Sequence, residues 1–222
     1  MKKVLIVEDD RIHLNRIVKI LGRHQDRFQT LPAADGQQAI DILEKERVDL
    51  LVTDIQMPKV DGLALLAHVS RHHPSLPCFV MTAYGSPELR AKMPEDLLRF
   101  YQKPFDIENL ATDILNALNR DMAKSGRPSV SVVSFLVMIQ SEKTTCIFEV
   151  QAPERKPGVF YFDKGVLLDA AFEDLSGEAA VMALIPLRTA AFRVRFFPEE
   201  PVARRIKADL GELIERALAP AG

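Results

Sequence analysis

The sequence is short of cysteine, of net charge and of long apolar runs, and each shortage removes a class of protein. Only two cysteines occur, Cys78 and Cys146, in apolar stretches of different halves. Each reads as a small core residue rather than half of a disulfide framework, and a reducing, cytoplasmic setting is expected. With 29 basic and 31 acidic residues the formal charge is −2. No clustered cations present themselves to a phosphate backbone or an anionic membrane surface, so neither nucleic acid nor membrane is an expected partner. No segment approaches a membrane span, and the apolar run Val4-Leu5-Ile6-Val7 meets acid too soon for a secretory signal.

The chain has length enough for two modest domains, and what it holds is organised around VDLLVTDIQMPKVDG, residues 48–62. Val48, Leu50, Leu51 and Val52 suit a strand covered on both faces of a parallel sheet, and the run stops at Thr53-Asp54. Asp54 therefore sits at a strand's carboxyl end, the edge at which open α/β sheets bind ligands. Met57-Pro58 and Asp61-Gly62 then turn the chain toward a helix. An isolated aspartate there would be expected only to cap that helix; its company argues otherwise.

Lys3 to Val7 predicts a buried first strand running into Glu8-Asp9-Asp10. Carboxylates this close repel one another and favour a bound cation, although Asp10 alone could serve the dipole of the following helix. Leu14, Ile17, Val18 and Leu21 mark that helix, and Gly22 stops it. Residues 28–33, which include Pro32, predict an edge strand. Ala39, Ile40 and Leu43 mark a second helix, and Leu63, Leu66, Ala67 and Ser70 a third, closed by Pro74. His68 and His72 lie one turn apart on it, but without a third ligand they read as surface histidines. Residues 77–81 give a fourth strand ending at Thr82, Ser86-Pro87-Glu88 a helix start, and residues 99–101 a fifth strand ending at Lys103. Asp106 caps a last helix that runs through Leu118.

Five strand-then-helix alternations predict a parallel, doubly wound α/β sheet. Its carboxyl rim would gather Glu8, Asp9, Asp54, Thr82 and Lys103. Such a set offers carboxylates for a hard divalent ion, one carboxylate as nucleophile, and a hydroxyl and an ammonium for phosphoryl oxygens.

On the pair Glu8-Asp9, Asp54 in TDIQMPKVDG, Thr82 followed by Ala83, and Lys103 in the KPF turn, residues 1–120 resemble the receiver domain of bacterial two-component response regulators. The resemblance implies a five-stranded flavodoxin-like fold and a phosphoryl group accepted on Asp54 from a sensor histidine kinase or phosphotransfer protein. It implies Mg²⁺ held by Asp9, Asp54 and the backbone carbonyl of Gln56, with Glu8 reaching the ion through water. Thr82 and Phe100 would move on phosphorylation, Lys103 would pair with the phosphoryl oxygens, and Gln56 and Tyr84 would tune the lifetime of the phosphoryl group. No enzyme activity is implied beyond the receiver's own phosphorylation and dephosphorylation. Residues 94–98 depart from the family pattern before the fifth strand, which leaves the dimerisation surface, and a homodimer itself, open.

Residues 121–129, polar with Gly126 and Pro128, predict a linker to a smaller α+β domain over 130–222. Residues 132–139 could be helix or strand by periodicity alone. Residues 146–150 and 159–162 predict strands, Asp163-Lys164-Gly165 a turn, and alternating Val166, Leu168, Ala170 and Phe172 complete a hairpin. A helix from Ser176-Gly177-Glu178 through Leu187 follows, then a strand with Phe192, Val194 and Phe196 on one face. A final amphipathic helix would carry Val202, Ile206, Leu210, Leu213, Ile214 and Ala217. The stretches GVFYFDKGVLLDAAFEDLSGEAAVMALI and AAFRVRF resemble the effector module called DUF4388 or PATAN, which implies output through contact with an unknown downstream protein.

Two alternatives differ in kind. An aspartyl-phosphate phosphatase needs a second aspartate two residues beyond the nucleophile, where this chain has Gln56. A DNA-binding transcriptional regulator needs a basic recognition helix, whereas residues 179–187 are apolar and Arg204-Arg205-Lys207 reads as the solvated face of the last helix.

Overall fold

Apolar runs become the central strands of a first sheet, and more polar segments its two edges. The structure, a computed structural model, describes residues 1–83, 98–119, 130–152, 155–187, 191–195 and 202–219. These fall into two compact units that divide in sequence between Val130 and Ser131. In the first, β1 (Lys2–Val7), β2 (Phe28–Ala33), β3 (Leu50–Asp54), β4 (Cys78–Thr82) and β5 (Leu98–Gln102) pair in parallel in the order β2-β1-β3-β4-β5. Helices α1 (Arg11–Leu21), α2 (Gly36–Lys45), α3 (Gly62–His72) and α4 (Ile107–Asn119) lie between or after them. β3 is buried at every position, as a central strand covered on both faces must be. β2, the strand with the proline, lies at the edge.

Each of these helices starts on an aspartate that accepts from its first-turn N–H groups. Asp10 takes Ile12 and His13 at 2.8 and 3.2 Å, Asp35 takes Gln38 at 2.9 Å, Asp61 takes Ala64 at 2.8 Å and Asp106 takes Glu108 at 2.9 Å. Such a cap is worth about 1 kcal/mol. Leu14, Ile17 and Leu21 of α1 and Leu110, Ala111 and Ile114 of α4 then close over Val4, Ile6, Val52, Phe79 and Met81 on one sheet face. Each large side chain so buried contributes roughly 1.5–3 kcal/mol. No helix among the described residues is long and apolar enough to cross a membrane.

The start of α3 abuts the tip of β3. A Cβ on Gly62 would lie 2.2 Å from the Asp54 carbonyl oxygen and 2.6 Å from Ile55 Cα, so only glycine fits between the helix and the strand end. Gly62→Ala is expected to destabilise the first unit by about 1–3 kcal/mol, read as a lower urea midpoint. An unchanged midpoint would mean that the backbone gives way there freely.

In the second unit α5 (Val132–Ser141) is capped by Ser131, which accepts from the Ser134 N–H at 3.1 Å. Residues 132–139 are buried throughout, so the ambiguous run is a helix with no wet face to give it a period. Strands β6 (Cys146–Gln151), β7 (Gly158–Asp163), β8 (Val166–Phe172), β9 (Leu175–Ser176) and β10 (Ala191–Arg195) form an antiparallel sheet in the order β10-β6-β7-β8-β9. Phe135 of α5 stacks on Phe148 at 4.9 Å, and Phe160 and Phe192 extend the cluster. Helices α6 (Glu178–Leu184) and α7 (Leu210–Leu218) complete the unit. The β7–β8 turn places Lys164 at φ 47° and Gly165 at φ 78°, the two consecutive left-handed residues of a primed hairpin turn.

Several expectations change. The β7–β8 ladder shifts register between Tyr161 and Phe162: Phe162 opposes Leu167 while Tyr161 opposes Asp169, so Leu168 is the extra residue of a bulge. Leu167, Ala170 and Phe172 are buried, Val166 is exposed and Leu168 half-buried. α6 stops at Leu184 rather than Leu187. The final helix begins only at Leu210, capped by Asp209; Val202 and Ile206 precede it in an irregular segment. That segment is held by the bulged residue, whose carbonyl accepts from Arg205 and Ile206 N–H at 2.9 and 3.0 Å. Arg204, Arg205 and Lys207 are therefore not a helix face. His68 is half-buried, not superficial, with its Nε2 shielded and its ring 4.4 Å from that of His72. Burial pulls its pKa down. Tyr84, residues 86–88, residues 94–97, the 121–129 linker and Phe196 lie outside the described residues.

Candidate functional site

Parallel strands share a carboxyl edge, and residues at or just past the tips of β1, β3 and β5 converge there. Glu8 follows β1 and is 1% exposed, Asp9 beside it is open to solvent, and Asp54 ends β3 at 7% exposed. Each offers a carboxylate oxygen, and the three oxygens lie within 4.8 Å of one another. Lys103, just beyond β5, donates from Nζ to Asp54 Oδ2 at 2.6 Å and to Glu8 Oε2 at 2.8 Å. Asp54 Oδ1 accepts from the backbone N–H of Ile55 at 2.7 Å and of Gln56 at 3.4 Å.

Thr82 ends β4 with 2% exposure, and its carbonyl accepts from the Lys103 N–H at 2.7 Å, which sets where the lysine leaves the sheet. Gln56 is exposed in the loop after β3. That loop is tied down at Lys59, held at φ 67°, whose ammonium donates to Asp35 at 2.7 Å and holds that carboxyl below its ordinary range. Phe100 is half-buried in the middle of β5, paired with Val80. Tyr101, its neighbour on the opposite face, donates to Asp113 at 2.7 Å and packs beside Phe79.

The electrostatics are unbalanced. Burial pushes the Asp54 carboxyl up, and neighbouring Glu8 adds to this, while Lys103 opposes it without cancelling it. For Lys103, burial works against the charge, yet the hydrogen bonds to Asp54 and Glu8 outweigh it and raise the ammonium's pKa. Two of the three carboxylates, Glu8 and Asp54, thus share one ammonium, Asp9 lies open beside them, and all the metal-facing donors are hard oxygens. That set fits Mg²⁺, which favours carboxylate and carbonyl oxygens and tolerates water in the rest of its shell. A cleft of about 250 Å³ lies at the opposite, amino ends of the strands, lined by Lys2, Asp49, His73 and Leu118 among others; it is remote from these groups.

One polar member of the rim was not legible in the sequence. His13, in the first turn of α1, places Nδ1 2.7 Å from Glu8 Oε2. The pairing spans a strand-to-helix junction, where neither the strand nor the helix period links the two positions.

A parallel sheet ordered 2-1-3-4-5 with acids and a lysine on its carboxyl rim defines an α/β domain of the doubly wound class. A family model described as the response regulator receiver domain matches residues 4–115, and the chain belongs to that family, which serves two-component signalling. Sporulation initiation phosphotransferase F of Bacillus subtilis (strain 168) is 35% identical over 113 residues, covering 49% of this chain and 87% of the relative. Transcriptional regulatory protein GlrR of Escherichia coli (strain K12) is 30% identical over 120 residues, covering 53% of this chain but only 26% of the relative. Among solved structures, the signal receiver domain of an HD domain-containing protein from Pseudomonas fluorescens Pf-5 is 26% identical with a TM-score of 0.48, covering 55% of this chain and 98% of that one. The family match ends at residue 115, before the second unit.

Proposed function

We propose that this chain is a two-component response regulator in which Asp54 accepts a phosphoryl group and the second unit passes the change to a protein partner in the cytoplasm. The observation that carries the reading is the Lys103 ammonium 2.6 Å from Asp54 within a group of three carboxylates. The donor is a phosphohistidine of a sensor kinase or phosphotransfer protein. An Asp54 oxygen attacks phosphorus while the P–N bond breaks, and the imidazole leaves with that electron pair and takes up a proton. Asp9, Asp54 and the Gln56 carbonyl would hold Mg²⁺, with Glu8 acting through a water, and the bound ion would supply positive charge to the phosphoryl oxygens. Lys103 exchanges a carboxylate partner for a phosphoryl oxygen, and the Thr82 hydroxyl is the donor that moves toward it. Phe100 takes up the space so vacated and changes the outer surface, while Gln56 and Tyr84 govern access of water to the acyl phosphate.

Residues 121–129 link this receiver to a DUF4388 or PATAN-type module over 130–222. Contact with protein rather than nucleic acid is supported by its arginines, several of which are matched by carboxylates: Arg195 with Glu149 at 2.6 Å, Arg216 with Glu178 at 3.0 Å and Arg205 with Asp169 at 3.2 Å. Beryllofluoride with Mg²⁺, a stand-in for the phosphoryl group, is expected to change amide hydrogen exchange around Thr82 and Phe100 and also within residues 131–219. Identical exchange in the second unit would remove the coupling from the proposal.

A further inference from the structure

His13 is the polar group of the rim that the proposed chemistry leaves without a task. Asp10 fixes its backbone by accepting from the His13 N–H at 3.2 Å, and the ring turns back onto the tip of β1. A carboxylate oxygen only accepts, so the bond at 2.7 Å requires the hydrogen on His13 Nδ1. The same Glu8 oxygen accepts from Lys103 at 2.8 Å, and Lys103 reaches Asp54 at 2.6 Å. A continuous chain of hydrogen bonds therefore runs from α1 to the phosphoacceptor. The imidazole is itself seated: its side chain is 26% exposed and its ring centroid lies 6.0 Å from that of Phe105.

Glutamate carries one more methylene than aspartate, and so one more torsion by which its carboxylate can wander. At this rim it can swing toward Asp9 and Asp54, where it would crowd the metal's place, or be driven off by their charge. We infer that His13 is a positioning residue that tethers the Glu8 carboxylate and thereby sets the affinity of the rim for Mg²⁺. This rests on the reading of the rim as a Mg²⁺ site. When Lys103 turns from Glu8 toward a phosphoryl oxygen, His13 keeps hold of Glu8 and prevents a buried anion from following the lysine toward another anion.

Isothermal titration of the full chain with Mg²⁺ tests this without any phosphoryl transfer. His13→Leu is expected to weaken Mg²⁺ binding on the order of tenfold, the lower end of the loss that follows removal of a hydrogen-bond partner in the outer shell of a metal site. His13→Ala carries the same expectation should the leucine variant not fold. His13→Asn, whose side-chain amide puts a donor near the place of Nδ1, is expected to return affinity to within about twofold of the parent. In a Glu8→Gln background, His13→Leu should add less than about twofold, because the pair it breaks has already been altered. Parental affinity in His13→Leu, or an undiminished loss in the Glu8→Gln background, would overturn the role of His13 and leave the Mg²⁺ site standing. A parent chain that takes up no Mg²⁺ at millimolar concentrations would overturn both.

Discussion

Asp54→Asn is expected to abolish incorporation of phosphate from acetyl phosphate and, at the same time, to make the metal-free protein more stable at neutral pH. The first effect follows from nucleophilicity, since an amide oxygen at the tip of β3 offers no anion to phosphorus. The second follows from the raised carboxyl. A carboxyl whose pKa is higher folded than unfolded contributes stability below its unfolded value, near 3.9, and loses it as pH rises through the folded value. At pH 7 the ionised, buried Asp54 therefore works against folding, and removing its charge relieves that. The gain should be about 1 kcal/mol, or about 4 °C in the melting temperature of a domain this size, and it should vanish toward pH 4. Thermal melts at pH 4 and 7 in chelator, with phosphate incorporation measured alongside, check both halves. Persistent labelling of the Asn variant would remove Asp54 as acceptor, and a lower melting temperature at pH 7 would remove the account of its charge.

The opposite sign is expected for Lys103→Met. The ammonium is the shared partner of Glu8 and Asp54, and its raised pKa means that its stabilisation is fully present at pH 7 and is lost only above the ordinary lysine range. Methionine keeps most of the volume and leaves two largely buried carboxylates facing each other. Removing one partner of a buried ionic cluster costs about 3–5 kcal/mol, and the partial solvent access of Lys103 points to the lower end. Urea melts should show the loss at pH 7, a smaller loss toward pH 4 as the raised Asp54 carboxyl takes up its proton, and partial recovery in Mg²⁺. Equal loss at both pH values would mean that the lysine's stem, not its charge, is what matters.

The receiver half was legible because β1, β3 and β4 are largely apolar runs that stop at or just before a polar residue of the candidate site. Val52-Thr53-Asp54 can be read as strand, tip and site without knowing the neighbours, and the edge place of β2 follows from Pro32 alone. Where burial is complete the pattern fails: residues 132–139 have no polar face, so no period separates helix from strand. The bulge at Leu168 was hidden because register depends on the partner strand, not on the alternation of one strand. Once Leu168 is displaced, its carbonyl is free to hold the 205–206 backbone, which is why Val202 and Ile206 leave a helix that their spacing would have allowed. His13 escaped for a related reason: its partner is fixed by how β1 delivers the chain into α1.

Pro32 has a consequence beyond marking an edge. The Ala33 carbonyl turns inward to accept from the Glu8 N–H at 3.2 Å, so by the alternation of a strand Pro32 faces outward, toward the open flank of β2. A foreign strand laid along that flank would find a missing donor near the carboxyl end of the seam and a ring in the way. A backbone ladder along this side of the sheet would be cut short where β2 nears the rim, so Pro32 guards the end of the edge closest to Glu8 against zippering onto another chain.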